Sequence, residues 1–281
     1  MTSTNVLVAV RRENASRFYK GLASQQNFHT EIVSAVQDVY DALADTDKHI
    51  DVLILDNGLG AVHELIDEVR LTHPRLFIVL VDEEADFGTP GQADELSTEP
   101  FTDNDLVKRI TRLMSDRKLE TLRADSLPAV RQFAKELRNA TGEYGKLQSA
   151  VSACKNLGYD YVAFYRLENP ETLSMTLRAQ DGPAPIQSIV PKTSSPNDIM
   201  TWCLSHGQSR IAAPQDTPNH PLVAKGRLGA VASVPVLFSG HQYGVIAAFR
   251  DQPGTITQEH IMMLELIAAQ LGSTITKEHS A

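Results

Sequence analysis

Cysteine is almost missing from this 281-residue chain: Cys154 and Cys203 are the only two, and neither belongs to a C-x-x-C pair. That excludes a disulfide framework and suits a reducing compartment, so a cytoplasmic location is expected. Long apolar runs are missing too. Apolar runs such as VLVAV at 6–10 and DVLIL at 51–55 have the length of buried strands, far below the ~20 residues of a membrane-spanning helix. No membrane association is expected. The opening MTSTNVLVAVRREN has neither a basic lead nor a small-residue cleavage site, so it does not read as a signal peptide. Positive charge is in deficit, with 26 Lys and Arg against 35 Asp and Glu, a formal net charge of −9. Such a balance offers no general attraction to nucleic acid or anionic lipid.

Signatures of chemistry are equally sparse. The histidines, among them His206, His220, His241 and His260, show no H-x-H or H-E-x-x-H spacing, so no metal site is expected. There is no G-x-S-x-G elbow, and Gly88, Pro90 and Gly91 form a loop without the context of a phosphate cradle. The chain is expected to act by binding and not as an enzyme.

What is present is a soluble-protein composition, 42% hydrophobic and 22% charged, at a length that suggests two domains. Over the first ~115 residues short apolar runs alternate with amphipathic stretches. Strands are predicted at Val6–Val10, Phe28–Val33, Asp51–Leu55 and Leu76–Val81. Helices are predicted at Ala15–Gln26, Ala35–Ala44, Ala61–Thr72 and Asp103–Met114. Parallel neighbours need helical crossovers, so this alternation implies a doubly wound α/β sheet. Residues 116–145 read as a helical linker, with a helix over Leu127–Asn139 and interruptions at Gly142 and Gly145. A helix over Lys146–Asn156 follows, with Cys154 on its apolar stripe as a buried thiol. Beyond it the pattern is α+β. Strands are predicted at Tyr161–Leu167, Leu173–Ala179, Ile186–Pro191, Ala230–Phe238 and Tyr243–Arg250. A short helix over Ile199–Ser205 ends at Gly207, and a closing helix is capped by Thr257.

Specific stretches of the first half resemble response-regulator receiver domains of two-component systems, whose fold is flavodoxin-like. DVLILD (51–56) looks like the third receiver strand ending on its phosphoacceptor, here Asp56. VHELIDEVRLTHPRLFIVLV (62–81) follows the helix, Pro-containing turn and fourth strand. ADELSTEPF (93–101) matches A-D-x-x-L-x-K-P-F. Aspartyl phosphorylation needs acidic metal ligands, a hydroxyl and a lysine around the aspartate. The resemblance puts Val10 and Arg11 at the acidic pair, Val81 at the hydroxyl and Glu99 at the lysine. The first domain, 1–115, is therefore expected to be a pseudo-receiver. Asp56 is either a vestigial phosphoacceptor or a strand-end polar residue paired with Arg11.

The second half resembles GAF domains over about residues 127–277, and the domain itself is placed at 146–281. The resemblance runs through Gly207, Val234-Pro235, Gly240 to Gly244-Val245-Ile246, and Thr257 to Gln270. It implies dimerisation through terminal helices and, in many members, a small-molecule pocket on one sheet face. The only Cys near a bilin-type position, Cys203, is followed by Leu204 and not His, so covalent bilin is not expected and no cofactor is assigned. Trp202, Cys203, His220 and Arg227 are the candidate pocket residues. Trp202 reads as a packing residue or a stacking ring, His220 as a surface-loop or pocket histidine, and Arg227 as a solvated or anion-binding group. Together the resemblances imply a bacterial signal-transduction protein. The receiver face would bind other signalling proteins, and the GAF domain would dimerise the chain, sense an unidentified small ligand, or both.

Overall fold

Valine- and leucine-rich strands without polar alternation are stable only when helices cover both of their faces. Two strands of the first half meet that condition, with every residue buried: β3 (Val52–Asp56) and β4 (Phe77–Val81). In the computed structural model, which describes residues 4–23, 27–45, 48–85, 90–124 and 128–279, they lie at the centre of a five-stranded parallel sheet. Its other strands are β1 (Thr4–Ala9), β2 (Phe28–Val33) and β5 (Glu95–Ser97), and the order is β2-β1-β3-β4-β5. The helices are α1 (Ala15–Ala23), α2 (Val36–Ala44), α3 (Val62–Thr72) and α4 (Asp105–Ala124). Leu7, Ala9, Leu53, Leu55, Ile78 and Leu80 face a core shared with α2 and α3. Val6, Val8, Val52, Ile54, Phe77 and Val79 face the core containing Phe18 and Leu22 of α1 and Leu106 and Ile110 of α4. No helix joins β4 to β5 among the described residues. The predicted end of the first helix at Gln26 lies outside them, as does Gly88.

The second unit is built on an antiparallel sheet. Its strands are β6 (Tyr161–Asn169), β7 (Ser174–Asp181), β8 (Arg210–Ala212), β9 (Ala230–Phe238) and β10 (His241–Arg250), in the order β7-β6-β10-β9-β8. Its helices are α5 (Pro128–Asn139), α6 (Gly142–Asn156), α7 (Ala184–Ile189), α8 (Ile199–His206), α9 (Pro221–Ala224) and α10 (Gln258–His279). Residues of β6 alternate between two cores. Val162 and Phe164 join Leu147 of α6 and Leu264 of α10, while Tyr161, Ala163 and Tyr165 join Cys203 of α8 and Leu222 of α9. The described residues fall into two compact units, the first within 4–70 and 76–120 and the second within 71–75 and 121–279.

Four sequence expectations change in whole or in part. Phe133 and Leu137 of α5, inside the predicted linker, belong to the core of the second unit; Leu127, the predicted helix start, lies outside the described residues. Gly142, at a φ of 66°, does mark a break, between the end of α5 at Asn139 and the start of α6, but Gly145 interrupts nothing, because α6 runs through it. Burial of Leu147, Ala150, Val151 and Cys154 offsets the ~1 kcal/mol a helical glycine costs. Ile186–Pro191 is not a strand. Pro183 is the extended N-cap, Pro185 in the first turn has its φ preset for a helix, and α7 forms over Ala184–Ile189. The predicted four-residue hairpin loop shortens to Ser239-Gly240, both at positive φ (50° and 79°), as a two-residue type I′ turn demands.

Candidate functional site

In an open parallel sheet the loops beyond the carboxyl ends of neighbouring strands share one edge, where ligands usually sit. Side chains alternate along β1, β3 and β4, and Val8, Ile54 and Val79 share a face. Two residues further on, the same face carries Val10, Asp56 and Val81, with Asp56 registered directly against Val81. Both valines are fully buried in the core. The row therefore has one carboxylate between two apolar side chains, where phosphoryl chemistry would need oxygen ligands.

Asp56 itself is largely buried and fully engaged. Its Oδ1 accepts from the Gly58 amide at 3.1 Å, capping a short 3-10 turn over Asn57–Leu59. Its Oδ2 accepts from Asn14 Nδ2 at 3.3 Å and lies 3.9 Å from Arg11 Nε. Arg11 also pairs with Glu13 at 3.4 Å. A Cβ on Gly58 would come within 2.4 Å of the Arg11 guanidinium, so the glycine is what lets that cation approach. Around them Asn57 donates to Asp82 at 2.9 Å, and Arg17 pairs with Glu83 at 3.0 Å while its guanidinium lies 4.7 Å from the Phe101 ring centre. These groups line a cleft of about 360 Å³ that is predominantly acidic. Glu99 is exposed and does not line it. Among the described residues no three His, Cys, Asp or Glu side chains are placed to hold a metal ion. Asn14, Arg17, Asn57 and Asp82 escape sequence reading, because only the strand order brings three separate loops together.

The four candidates of the second unit have separate surroundings. Trp202 stacks on His206 (ring centres 4.2 Å apart, 13° between planes), with the Arg210 guanidinium 4.5 Å from its own ring centre. Arg210 donates to the Thr217 carbonyl at 3.0 Å, and burial pushes its pKa down to about 10. Cys203 is fully buried on α8, and burial pushes its thiol pKa up, keeping it protonated and unreactive. Arg227 is exposed, and its backbone amide donates to the Leu222 carbonyl at 2.8 Å.

His220 departs most from the surface-loop alternative: it is 0% exposed. Its Nδ1 accepts from the Leu222 amide at 3.2 Å, which leaves the proton on Nε2, 3.4 Å from the Tyr165 hydroxyl. Tyr165 donates in turn to the Pro191 carbonyl at 2.9 Å. The Phe249 ring stands edge-on to the imidazole at 4.8 Å. Burial pushes the His220 pKa down to about 3, so the ring is neutral. The pattern N-H-P at 219–221 is the only sequence hint, since a residue before proline is extended and can cap a helix.

The GAF domain family matches residues 146–276, and that segment is a GAF domain. Among solved structures, the GAF domain of an Acinetobacter phosphoenolpyruvate-protein phosphotransferase is 15% identical with a TM-score of 0.45, covering 54% of this chain and 93% of its own. A free methionine-R-sulfoxide reductase from Neisseria meningitidis, in complex with its substrate, is 15% identical at 0.48, covering 54% and 89%. The chromophore-binding domain of a bacteriophytochrome from R. palustris is 19% identical at 0.44, covering 54% and 62%. Likeness at this level carries no activity or ligand across. No curated protein matches the chain.

Proposed function

We propose that the chain is a non-catalytic, cytoplasmic signal-transduction protein with a flavodoxin-like pseudo-receiver over 1–115, a helical segment over 116–145 and a GAF domain from 146 onward. The pseudo-receiver serves as a protein-interaction module independent of phosphorylation, and the GAF domain supplies dimerisation, small-molecule sensing, or both. The row Val10–Asp56–Val81, with the Arg11 guanidinium 3.9 Å from the carboxylate, carries this reading. A phosphoryl group on Asp56 would meet methyl groups where its oxygens and metal need polar ligands. Arg11 already supplies a counter-charge to the unmodified carboxylate.

Incubation with a small acyl-phosphate donor and Mg²⁺, followed by intact-mass analysis, tests this. The expected spectrum shows unmodified protein for both wild type and Asp56→Asn. A phosphoryl mass addition present in wild type and lost in Asp56→Asn would overturn the proposal. Native mass spectrometry of the purified full chain is expected to show a homodimer.

A further inference from the structure

β2 is an outer strand of the parallel sheet, and among the described residues no strand pairs with its free side. Its register fixes which backbone groups lie there. The Thr4 amide donates to the Asn27 carbonyl at 2.8 Å and the Val10 amide to the Val33 carbonyl at 3.0 Å, with Thr4 opposite Phe28 and Val8 opposite Ile32. In a parallel ladder alternate residues turn both polar groups the same way. The odd-numbered residues of β2 therefore bond to β1, and the amides and carbonyls of Phe28, Thr30 and Ile32 point outward. Among the described residues these outward groups have no hydrogen-bond partner.

Devices that usually blunt such an edge are missing. The strand, FHTEIV, has no proline, lysine or bulge, and every one of its residues is at least partly exposed. On α1, Arg17 reaches Glu83 and Gly21 lies close to the Phe101 ring, so the opposite flank of the helix, which carries Tyr19, faces the β2 side. Tyr19 is 56% exposed, an aromatic ring beside the open edge.

About Thr30 the strand is complementary to itself when run antiparallel. A twofold axis there sets Phe28 opposite Ile32 of a second copy, His29 opposite its Glu31, and Thr30 opposite its Thr30. Phe28, Thr30 and Ile32 then fall in the hydrogen-bonded pairs, which satisfy the outward groups. His29 and Glu31 fall in the closer non-bonded pairs, imidazole against carboxylate. Glu31 already holds Lys48 Nζ at 2.5 Å, and a carboxylate has lone pairs for both. The Thr30 hydroxyl, buried and without a partner among the described residues, lies across the axis from its own copy.

We propose that β2 is a self-pairing edge: two copies of the chain join antiparallel through Phe28–Ile32, centred on Thr30, and fuse their parallel sheets into one continuous sheet. The inference goes beyond the interaction role proposed above, and it depends neither on the state of Asp56 nor on dimerisation by the GAF domain.

Cysteine pairing in the full chain tests both the contact and its register. His29→Cys and Glu31→Cys variants are treated with oxidised glutathione, each alone and as an equimolar mixture; Cys154 and Cys203 are buried and do not compete. Non-bonded antiparallel partners stand about 4.5 Å apart between Cα atoms, within disulfide reach, whereas residue 29 of one copy and residue 29 of the other are two positions out of step. The mixture is expected to give several-fold more disulfide-linked dimer than either variant alone, with 29 joined to 31 by peptide mass. Adding Thr30→Pro to both variants is expected to abolish that gain, since it removes the central outward amide at an edge position that tolerates proline. A second measurement needs no variant. The Phe28, Thr30 and Ile32 amides of wild type are expected to be protected from hydrogen exchange in concentrated protein and to lose that protection several-fold on dilution. A mixture that cross-links no better than the single variants would overturn the proposal. So would exchange of those three amides as unprotected groups at every concentration. Either result does so even where native mass spectrometry shows a dimer, which then forms through another surface.

Discussion

A carboxylate at the end of a buried strand must be satisfied by whatever groups the neighbouring loops bring, and at Asp56 these are the Gly58 amide, Asn14 and Arg11. The three contributions differ in kind. Arg11 is about half exposed, so its ion pair is screened by water, and Arg11→Ala should cost less than ~1 kcal/mol. Asp56→Ala removes a cap of the following turn from a nearly buried position and should cost more, about 1–2 kcal/mol in urea unfolding. At His220 the useful variable is pH. The folded protein holds the ring neutral with its pKa near 3, whereas the unfolded chain takes up a proton below about 6.5. The unfolded state thus binds more protons between those values, so this group's contribution to stability falls as pH falls. From pH 7 to pH 5 wild type should lose about 2 kcal/mol more than His220→Gln, which has no such group. Equal losses would show that the ring is protonated in the fold.

At the scale of elements, two junctions in the GAF domain are over-determined by single residues. Gly244 in β10 follows a bulge at Gln242 and has φ of 150°; a Cβ there would fall 2.0 Å from the Tyr165 carbonyl oxygen of β6. Gly244→Ala must either bend β10 or break its pairing with β6. Loss of at least about 2 kcal/mol is expected in equilibrium unfolding. The second junction is the start of α8, where Asp198 accepts from the Thr201 amide at 2.9 Å and from the Ser195 amide at 2.6 Å. Asp198→Ala leaves both donors without this partner and should cost about 1–2 kcal/mol. Its far end needs less protection, since Gly207 adopts the left-handed conformation at no steric cost.

At the scale of the molecule, each unit has its own sheet with a core on either face. The second core recruits Phe133 and Leu137 of α5, so a fragment has to include that helix to bury its sheet. Residues 128–281 expressed alone should unfold in one cooperative transition by circular dichroism. A fragment beginning at 146 should be markedly less stable or aggregate, because it lacks Phe133 and Leu137 of the core and uncovers Leu266, which packs with Val130 of α5.

The longer strands and helices were legible in the sequence because apolar periodicity is a local property, whereas the short β5, β8 and α9 were not, and α7 read as a strand. The continuous runs at 51–55 and 76–81, the positive-φ glycine after α8 and the Ser239-Gly240 turn each announce themselves within a few residues. The replacement of polar ligands by Val10 and Val81 around Asp56 could likewise be read by position along the strands. What the one-dimensional pattern does not contain is which loops meet. The approach of Asn14, Arg17, Asn57 and Asp82 to the cleft follows from β1, β3 and β4 being neighbours, a property of strand order and not of any segment. The fate of His220 is the same kind of fact. Its surrounding segment is polar and proline-rich, which locally predicts exposure, and only the rings of Tyr165 and Phe249 from two distant strands make its burial favourable.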